Sequence, residues 1–274
     1  MSKGYPHPPA GKIRTFAQIF FSTDCPEMLE NSTTSWYSSW FDSPYYHLLY
    51  KNRDESEARH FLDRLLKVLQ LPKGARVQDL ACGKGRHAVH LNACGYRVTG
   101  LDLSEENILH CLRSSSETMD FYRHDMRQVF RYNYYDAIFN LFTSFGYFEK
   151  PQENLKVLHA AASGLKKGGF FILDYLNPAY TLSHLKADEK VTAGDIVFHI
   201  RRWQENKRLI KEISFSDAEQ QCCYREKVDL IGPEEFHEYF RQTGLEIQTI
   251  FGDYQLSPFN TDTSPRIIFV TQKP

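Results

Sequence analysis

Residues 77–91 read VQDLACGKGRHAVHL. An apolar run ends near Asp79, a turn carries Gly83 and Gly85, and apolar residues then recur at helical spacing. The pattern is a buried strand, a glycine-bearing turn and the opening of a helix. Glycines at such a junction let backbone amides approach a ligand.

The same alternation continues outward on the C-terminal side. YRVTGLDLS (96–104) reads as a strand, and SEENILHCLRSS (104–115) as a helix with Ser104 as its N-cap. MDFYRHDM (119–126) and YDAIFNLF (135–142) read as strands three and four. QENLKVLHAAASGLKKGG (152–169) reads as a helix closed by glycine, and FFILDYLN (170–177) as strand five. Alternation of this kind predicts an α/β fold with a mostly parallel sheet and helices on both faces.

After Pro178 the period changes. DIVFHIRRWQ (195–204), RLIKEISFSD (208–217) and QCCYREKVDLI (221–231) predict three antiparallel strands. GPEEFHEYFRQTG (232–244) predicts a helix started by Pro233 and ended by Gly244. LEIQTIFG and PRIIFVTQK close the chain as a strand pair. On the N-terminal side, residues 1–34 are rich in Pro, Gly and polar residues and predict a disordered extension. WYSSWFDSPYYHLLY (36–50) is dense in aromatics, and Phe61, Leu62, Leu65, Leu66 and Leu69 mark a helix that Pro72 and Gly74 end.

The chain has 274 residues, 42% of them hydrophobic, which suffices for one large core. The formal net charge of -1 gives no global pull on nucleic acid. No apolar run reaches the length of a membrane span, and the N-terminus has no secretory pattern; a cytoplasmic protein is expected. The six cysteines are Cys25, Cys82, Cys94, Cys111, Cys222 and Cys223. None forms C-x-x-C, so reduced thiols and no metal are expected.

Which ligand the turn holds follows from the strand ends. A dinucleotide fingerprint wants G-x-G-x-x-G, whereas Gly83 and Gly85 are followed by His87 and Ala88. A P-loop lacks its Gly-Lys-Ser/Thr. Asp79, Asp102 and Asp125 end the first three strands, where a ligand of an open α/β sheet lies. Three carboxylates suit a ribose, an amino-bearing base and an ammonium group. They would repel a pyrophosphate.

Taken in order, VQDLACGKGRHAVHL, VTGLDLS, HDM and YDAIFNLFTSFGYF resemble the class I S-adenosylmethionine-dependent methyltransferases. GGFFILDYLN and GDYQLSPFNTDTSPRIIFV are similar to a bacterial branch of small members with often unassigned substrates. The resemblance implies a Rossmann-like seven-stranded sheet with an antiparallel β-unit inserted after strand five. It implies one domain over 35–274: an aromatic lid and helices at 35–72, a cofactor core at 73–178, the insert at about 190–231, and a closing helix and strand pair at 232–274. It implies S-adenosylmethionine as cofactor and S-adenosylhomocysteine as product.

Carried over by residue, Ala81, Cys82, Gly83 and Gly85 would pack on the methionine part, and Asp79 would orient its amino group. Asp102 would accept from both ribose hydroxyls and Leu103 would lie on the adenine. Asp125 would accept from the adenine amino group, and the Met126 amide would donate to a ring nitrogen. Asn140 and Leu141 would approach the amino-acid moiety.

Methyl transfer is an in-line displacement that alignment and exclusion of water can drive, so no catalytic residue is obligatory. Tyr147 and His124 are the candidates for a direct role. Tyr37, Tyr46, Tyr147, Tyr175, Asn177, Arg202 and Arg266 are candidates for the substrate side. A small-molecule N, O or S nucleophile is the first expectation for the acceptor. The alternatives are a protein or RNA acceptor, or a non-catalytic cofactor binder. No RNA-binding module is visible, and NLFT stands where tRNA-modifying relatives carry N-P-P-Y.

Overall fold

In strand β1 (Arg76–Leu80) Val77 faces one side of the sheet and Leu80 the other. Ala137 and Phe139 oppose Ile138 in β4 (Tyr135–Asn140) in the same way, as Ile172 opposes Phe171 and Leu173 in β5 (Leu165–Leu176). Strands apolar on both faces must be covered on both. Helices α3 (Glu55–Leu69), α4 (Arg86–Ala93) and α5 (Glu105–Cys111) cover one face. Helices α6 (Pro151–Gly164) and α8 (Pro233–Thr243) cover the other.

The computed structural model describes residues 36–51, 55–218 and 220–274. The expectation for residues 1–34 lies outside them. With β2 (Arg97–Asp102), β3 (Met119–Arg123), β10 (Glu246–Phe251) and β11 (Arg266–Gln272), the main sheet has seven strands in the order β10-β11-β5-β4-β1-β2-β3. The β3 to β5 block is parallel, and β11 runs antiparallel to both neighbours. Ser104 caps α5, its Oγ accepting from Asn107 N at 3.0 Å. Gly244 ends α8 at φ +69°.

Between β5 and α8 lie a short helix, α7 (Pro178–Ser183), and a separate antiparallel sheet of four strands. These are β6 (Asp188–Ala193), β7 (Ile196–Glu205), β8 (Arg208–Asp217) and β9 (Gln220–Asp229). The expectation was three strands. The fourth, β6, is DEKVTA: its charged residues hide the strand period, and it forms by pairing along β7. A second correction concerns α6, which stops at Gly164 rather than running through Gly169. Gly168 N donates to Lys273 O at 2.7 Å and Lys273 N to Gly169 O at 2.9 Å, so the neighbouring strand recruits the Lys-Lys-Gly-Gly segment into β5.

Helices α1 (Trp36–Phe41) and α2 (Pro44–Leu49) pack on β9 and β6 of the smaller sheet, sharing a core with Phe198, Ile213 and Phe215. Glu226 clamps them: Oε1 accepts from Trp40 Nε1 at 2.7 Å and from the Tyr50 hydroxyl at 2.8 Å. Cys223 is disulfide-bonded, which corrects the expectation of six reduced thiols; Cys82, Cys94, Cys111 and Cys222 are free. Among the described residues no helix is long and apolar enough to cross a membrane.

Candidate active site

The chain leaves β1 through a turn of left-handed residues: Ala81 at φ +62°, Gly83 at +54° and Gly85 at +80°. A Cβ on Gly85 would lie 2.9 Å from Cys111 Sγ and 3.2 Å from the Phe121 ring, so glycine is required there on two grounds. Cys82 is buried, and its amide donates to Leu101 O at 2.9 Å, tying the turn to the end of β2.

At that end, Asp102 Oδ2 accepts from Gly83 N at 2.8 Å and Oδ1 from Ser104 N at 2.9 Å. A carboxylate has about four lone-pair sites, so acceptor capacity remains on both oxygens. Burial raises the Asp102 carboxyl above its ordinary range, while the Ser104 and Gly83 amides pull it back. Asp79 is more extreme. It is 1% exposed and accepts from Ala88 N at 3.1 Å. Burial pushes its pKa up to about 7, with the charge of Asp102 adding to the rise.

Asp125 is held by Arg127, whose Nε and Nη2 lie 3.0 Å and 2.6 Å from Oδ2. Arg127 Nη1 continues to Glu153 Oε1 at 2.5 Å. Although burial opposes it, Arg127 lowers the Asp125 carboxyl below its ordinary value. Asn140 is fully buried and its Nδ2 donates to Leu80 O and Ser144 O, both at 3.1 Å. Its Oδ1 is buried without a partner. Leu141 lies in the core on the α3–α4 face.

A cavity opens over these strand ends. Its walls are apolar apart from two carboxylates and an imidazole, as is usual for a small-molecule site. Ala81, Asp102, Leu103, Asp125 and Met126 of the predicted cofactor set line it; Asp79, Cys82, Gly83, Gly85, Asn140 and Leu141 do not. The donor set fits S-adenosylmethionine. Asp102 has free lone pairs for ribose hydroxyls, and Leu103 and Met126 supply apolar surface.

The far wall is aromatic. Tyr37 and Phe41 from α1 face Tyr147 and Phe148 from the loop after β4. The Tyr37 and Tyr147 rings stack at 6.5 Å, Phe41 lies 5.5 Å from Tyr147, and Trp36 backs Tyr147 at 5.4 Å. Sequence reasoning missed Phe41, although it stands four residues after Tyr37 and so shares its helix face. The Tyr147 hydroxyl donates to Thr143 O, so its proton is already engaged. His124 also lines the cavity, with Nε2 2.9 Å from Gln128 O.

The other substrate-side candidates are elsewhere. Tyr46 braces the roof from behind, with its ring 5.0 Å from Phe41 and 5.6 Å from Trp40. Tyr175 is fully buried, and its hydroxyl donates to Asp229 O. A Cβ on Gly146 would strike that hydroxyl, so the pair fixes the loop that carries Tyr147. Asn177 caps α7 and donates to Thr261 O and Ser264 O, both at 2.7 Å. Arg202 pairs with Glu189 at 2.5 Å, and Arg266 with Asp174 at 2.7 Å. None of these five lines the cavity.

The model of a methyltransferase domain matches residues 50–250. YqeM of Bacillus subtilis, which carries the provisional name of a methyltransferase, is 24% identical over 219 residues, covering 74% of this chain and 86% of YqeM. The dTDP-3-amino-3,4,6-trideoxy-alpha-D-glucopyranose N,N-dimethyltransferase of Streptomyces venezuelae is 27% identical over 216 residues, 76% of this chain and 91% of the enzyme. Among solved structures, an S-adenosylmethionine-dependent methyltransferase from Clostridium acetobutylicum superposes with a TM-score of 0.70 at 21% identity, covering 83% of this chain and 95% of that one.

Proposed function

The chain belongs to the methyltransferase-domain family of class I S-adenosylmethionine-dependent enzymes, and from that premise we propose that its acceptor is an amine nitrogen on a small polar molecule. The chain is an S-adenosylmethionine-dependent methyltransferase. The cofactor supplies a methyl group already activated on a sulfonium.

What remains for this chain is to bind, orient and keep water out. Asp102 and Leu103 would hold the nucleoside, with Asp125 and Met126 at the base. Asp79 and Asn140 would meet the amino-acid end. The aromatic faces of Tyr37, Phe41 and Tyr147 would favour a cationic group beside them, since ring faces attract cations. An amine acceptor must lose a proton. His124 can take it at Nδ1, because Nε2 is held by the Gln128 carbonyl.

One observation carries the small-molecule reading: α1 places Tyr37 and Phe41 over the strand ends, so the cavity is roofed. A roof of this kind admits a small molecule and obstructs a polymer. The amine follows the Streptomyces venezuelae relative, whose name specifies N,N-dimethylation of an amino sugar. A cytoplasmic location accords with where the cofactor is made.

The test is incubation with methyl-labelled cofactor and a cell extract divided by a size filter. Label in the small-molecule fraction, on nitrogen by mass spectrometry, is the expected outcome. Label confined to protein or RNA would overturn the reading.

A further inference from the structure

Helices α3 and α4 lie side by side on one face of the main sheet, and where they meet three side chains of metal-binding type converge. His90 Nε2 is 2.8 Å from Asp63 Oδ1 and 3.8 Å from Cys94 Sγ. All three ligand atoms fall within 4.8 Å of one another. His90 lies in the last turn of α4 and Cys94, four residues on, is its C-cap with helical φ and ψ, so the two project to the same side, and Asp63 reaches across from α3. We infer that Asp63, His90 and Cys94 form a binding site for a borderline-soft divalent cation of the zinc type, linking α3 to α4.

The donor set decides the class of ion. One imidazole, one thiol and one carboxylate suit zinc or cobalt, whereas calcium and magnesium want a shell of oxygens. The spacing is close to what such an ion needs. Bonds of about 2.0–2.3 Å at tetrahedral angles place N and O ligands about 3.4 Å apart, and N and S about 3.6 Å apart. His90 and Cys94 already stand at nearly the second separation. Asp63 must withdraw by roughly half an ångström, and its side chain, 45% exposed, has the freedom to do so. The same exposure gives the ion an entry path and leaves the fourth position to water.

Binding also has a proton balance. A cysteine thiol must give up its proton to become a ligand. An ion displaces that proton. His90 shifts its remaining proton to Nδ1 as Nε2 becomes a ligand. None of the three residues lines the methyl-transfer cavity, so this site and the function proposed above stand or fall separately. The sequence shows no C-x-x-C and led to no metal being expected. The site is assembled from α3 and the C-terminal end of α4, and only the His-x-x-x-Cys spacing hinted at it.

The experiment uses the full chain without a tag, stripped with chelator and titrated with Co²⁺ and then Zn²⁺. The expected result is one equivalent of Co²⁺ bound with a thiolate-to-cobalt charge-transfer band that Zn²⁺ abolishes. Cys94→Ser should lose the band, and His90→Ala should weaken binding at least about tenfold, as loss of a ligand does. Zn²⁺ should raise the melting temperature of the wild type and leave that of His90→Ala unchanged. All three positions are at the helix surface, so the variants should fold; retained cofactor affinity would verify it. Absence of a band, or a band of equal strength in Cys94→Ser, overturns the assignment.

Discussion

The guanidinium of Arg266 lies 2.7 Å from Oδ1 of Asp174, a carboxylate with no exposed surface. Asp174 Oδ2 accepts from Phe142 N at 2.7 Å, and Arg266 Nη2 reaches Thr143 Oγ1 at 2.9 Å. Phe142 and Thr143 are both left-handed, at φ +58° and +61°. The ion pair therefore holds a strained turn, and that turn receives the Tyr147 hydroxyl at Thr143 O.

Arg266→Met should accordingly destabilise the protein by about 3–5 kcal/mol, the usual result of leaving a buried charge unpaired. Adding Asp174→Asn should restore much of the loss, because the uncompensated charge is gone. Urea unfolding of the two variants checks this. A single-variant loss below about 1 kcal/mol, typical of an exposed pair, would show that the pair does not support the turn.

Asp102→Ala should lower cofactor affinity at least about 100-fold. Two hydrogen bonds to a charged acceptor are worth about 1.5–3 kcal/mol each, and each 1.4 kcal/mol is tenfold. The variant also strands the Gly83 and Ser104 amides, so some loss of stability should accompany the loss of binding. Calorimetric titration with the cofactor is the measurement. An affinity within about threefold of wild type would remove Asp102 from the ribose site.

Asp79 and His87 impose opposite pH dependences on stability. The Asp79 carboxyl, pushed up to about 7 by burial, stays protonated in the native state where the unfolded chain has released its proton. Its contribution falls as pH rises from about 4, the unfolded value, to about 7. His87 is buried against Phe142, its Nε2 without a partner, and burial lowers its pKa to about 3. Its contribution is present above about pH 6.5, the unfolded value, and is lost as pH falls toward 3. Between about pH 4 and 6.5 the two slopes oppose each other. Asp79→Asn removes only the first, so its stability relative to wild type should improve from pH 5 to pH 8, with most of the gain below about pH 7. Each pKa unit is worth about 1.4 kcal/mol, so the gain should reach a few kcal/mol. Urea unfolding at both pH values reads it, and a constant difference would place Asp79 in a solvated setting.

What could be read from the sequence follows from how local its signals are. The strand period, the glycines at 83 and 85 and the Ser104 cap are encoded within a few residues, and each stands where expected. Arg266, as a partner for a substrate anion, and Asn177, at the end of strand five, are substrate-side candidates by sequence, but each is tied to a distant part of the chain. Their partners lie 92 residues away at Asp174, and 84 and 87 away at Thr261 and Ser264, which no local pattern reveals. Strand β6 was hidden because its register is set by β7 rather than by its own hydrophobicity. Phe41 was legible in principle, through its spacing from Tyr37.

The turn at the end of β1 allows a test in which two small substitutions should have opposite signs. Ala81 is left-handed at φ +62°, a conformation costing a residue with a Cβ about 1–2 kcal/mol. Ala81→Gly removes that strain and adds about 0.4–1 kcal/mol of unfolded-state entropy. The net should be a gain of up to about 1 kcal/mol, or roughly 2–4 °C in melting temperature for a chain of this size. Gly85→Ala introduces the same strain at φ +80° and also drives a Cβ against Cys111 Sγ and the Phe121 ring. It should lose at least about 2 kcal/mol, from backbone strain and overpacking together. Because Gly85 leads into α4, whose Ala88 amide holds Asp79, cofactor affinity should fall with it. Thermal unfolding of both variants, with and without cofactor, separates the effects. Equal and neutral melting temperatures would mean that the turn relaxes freely and does not hold the strand ends in place.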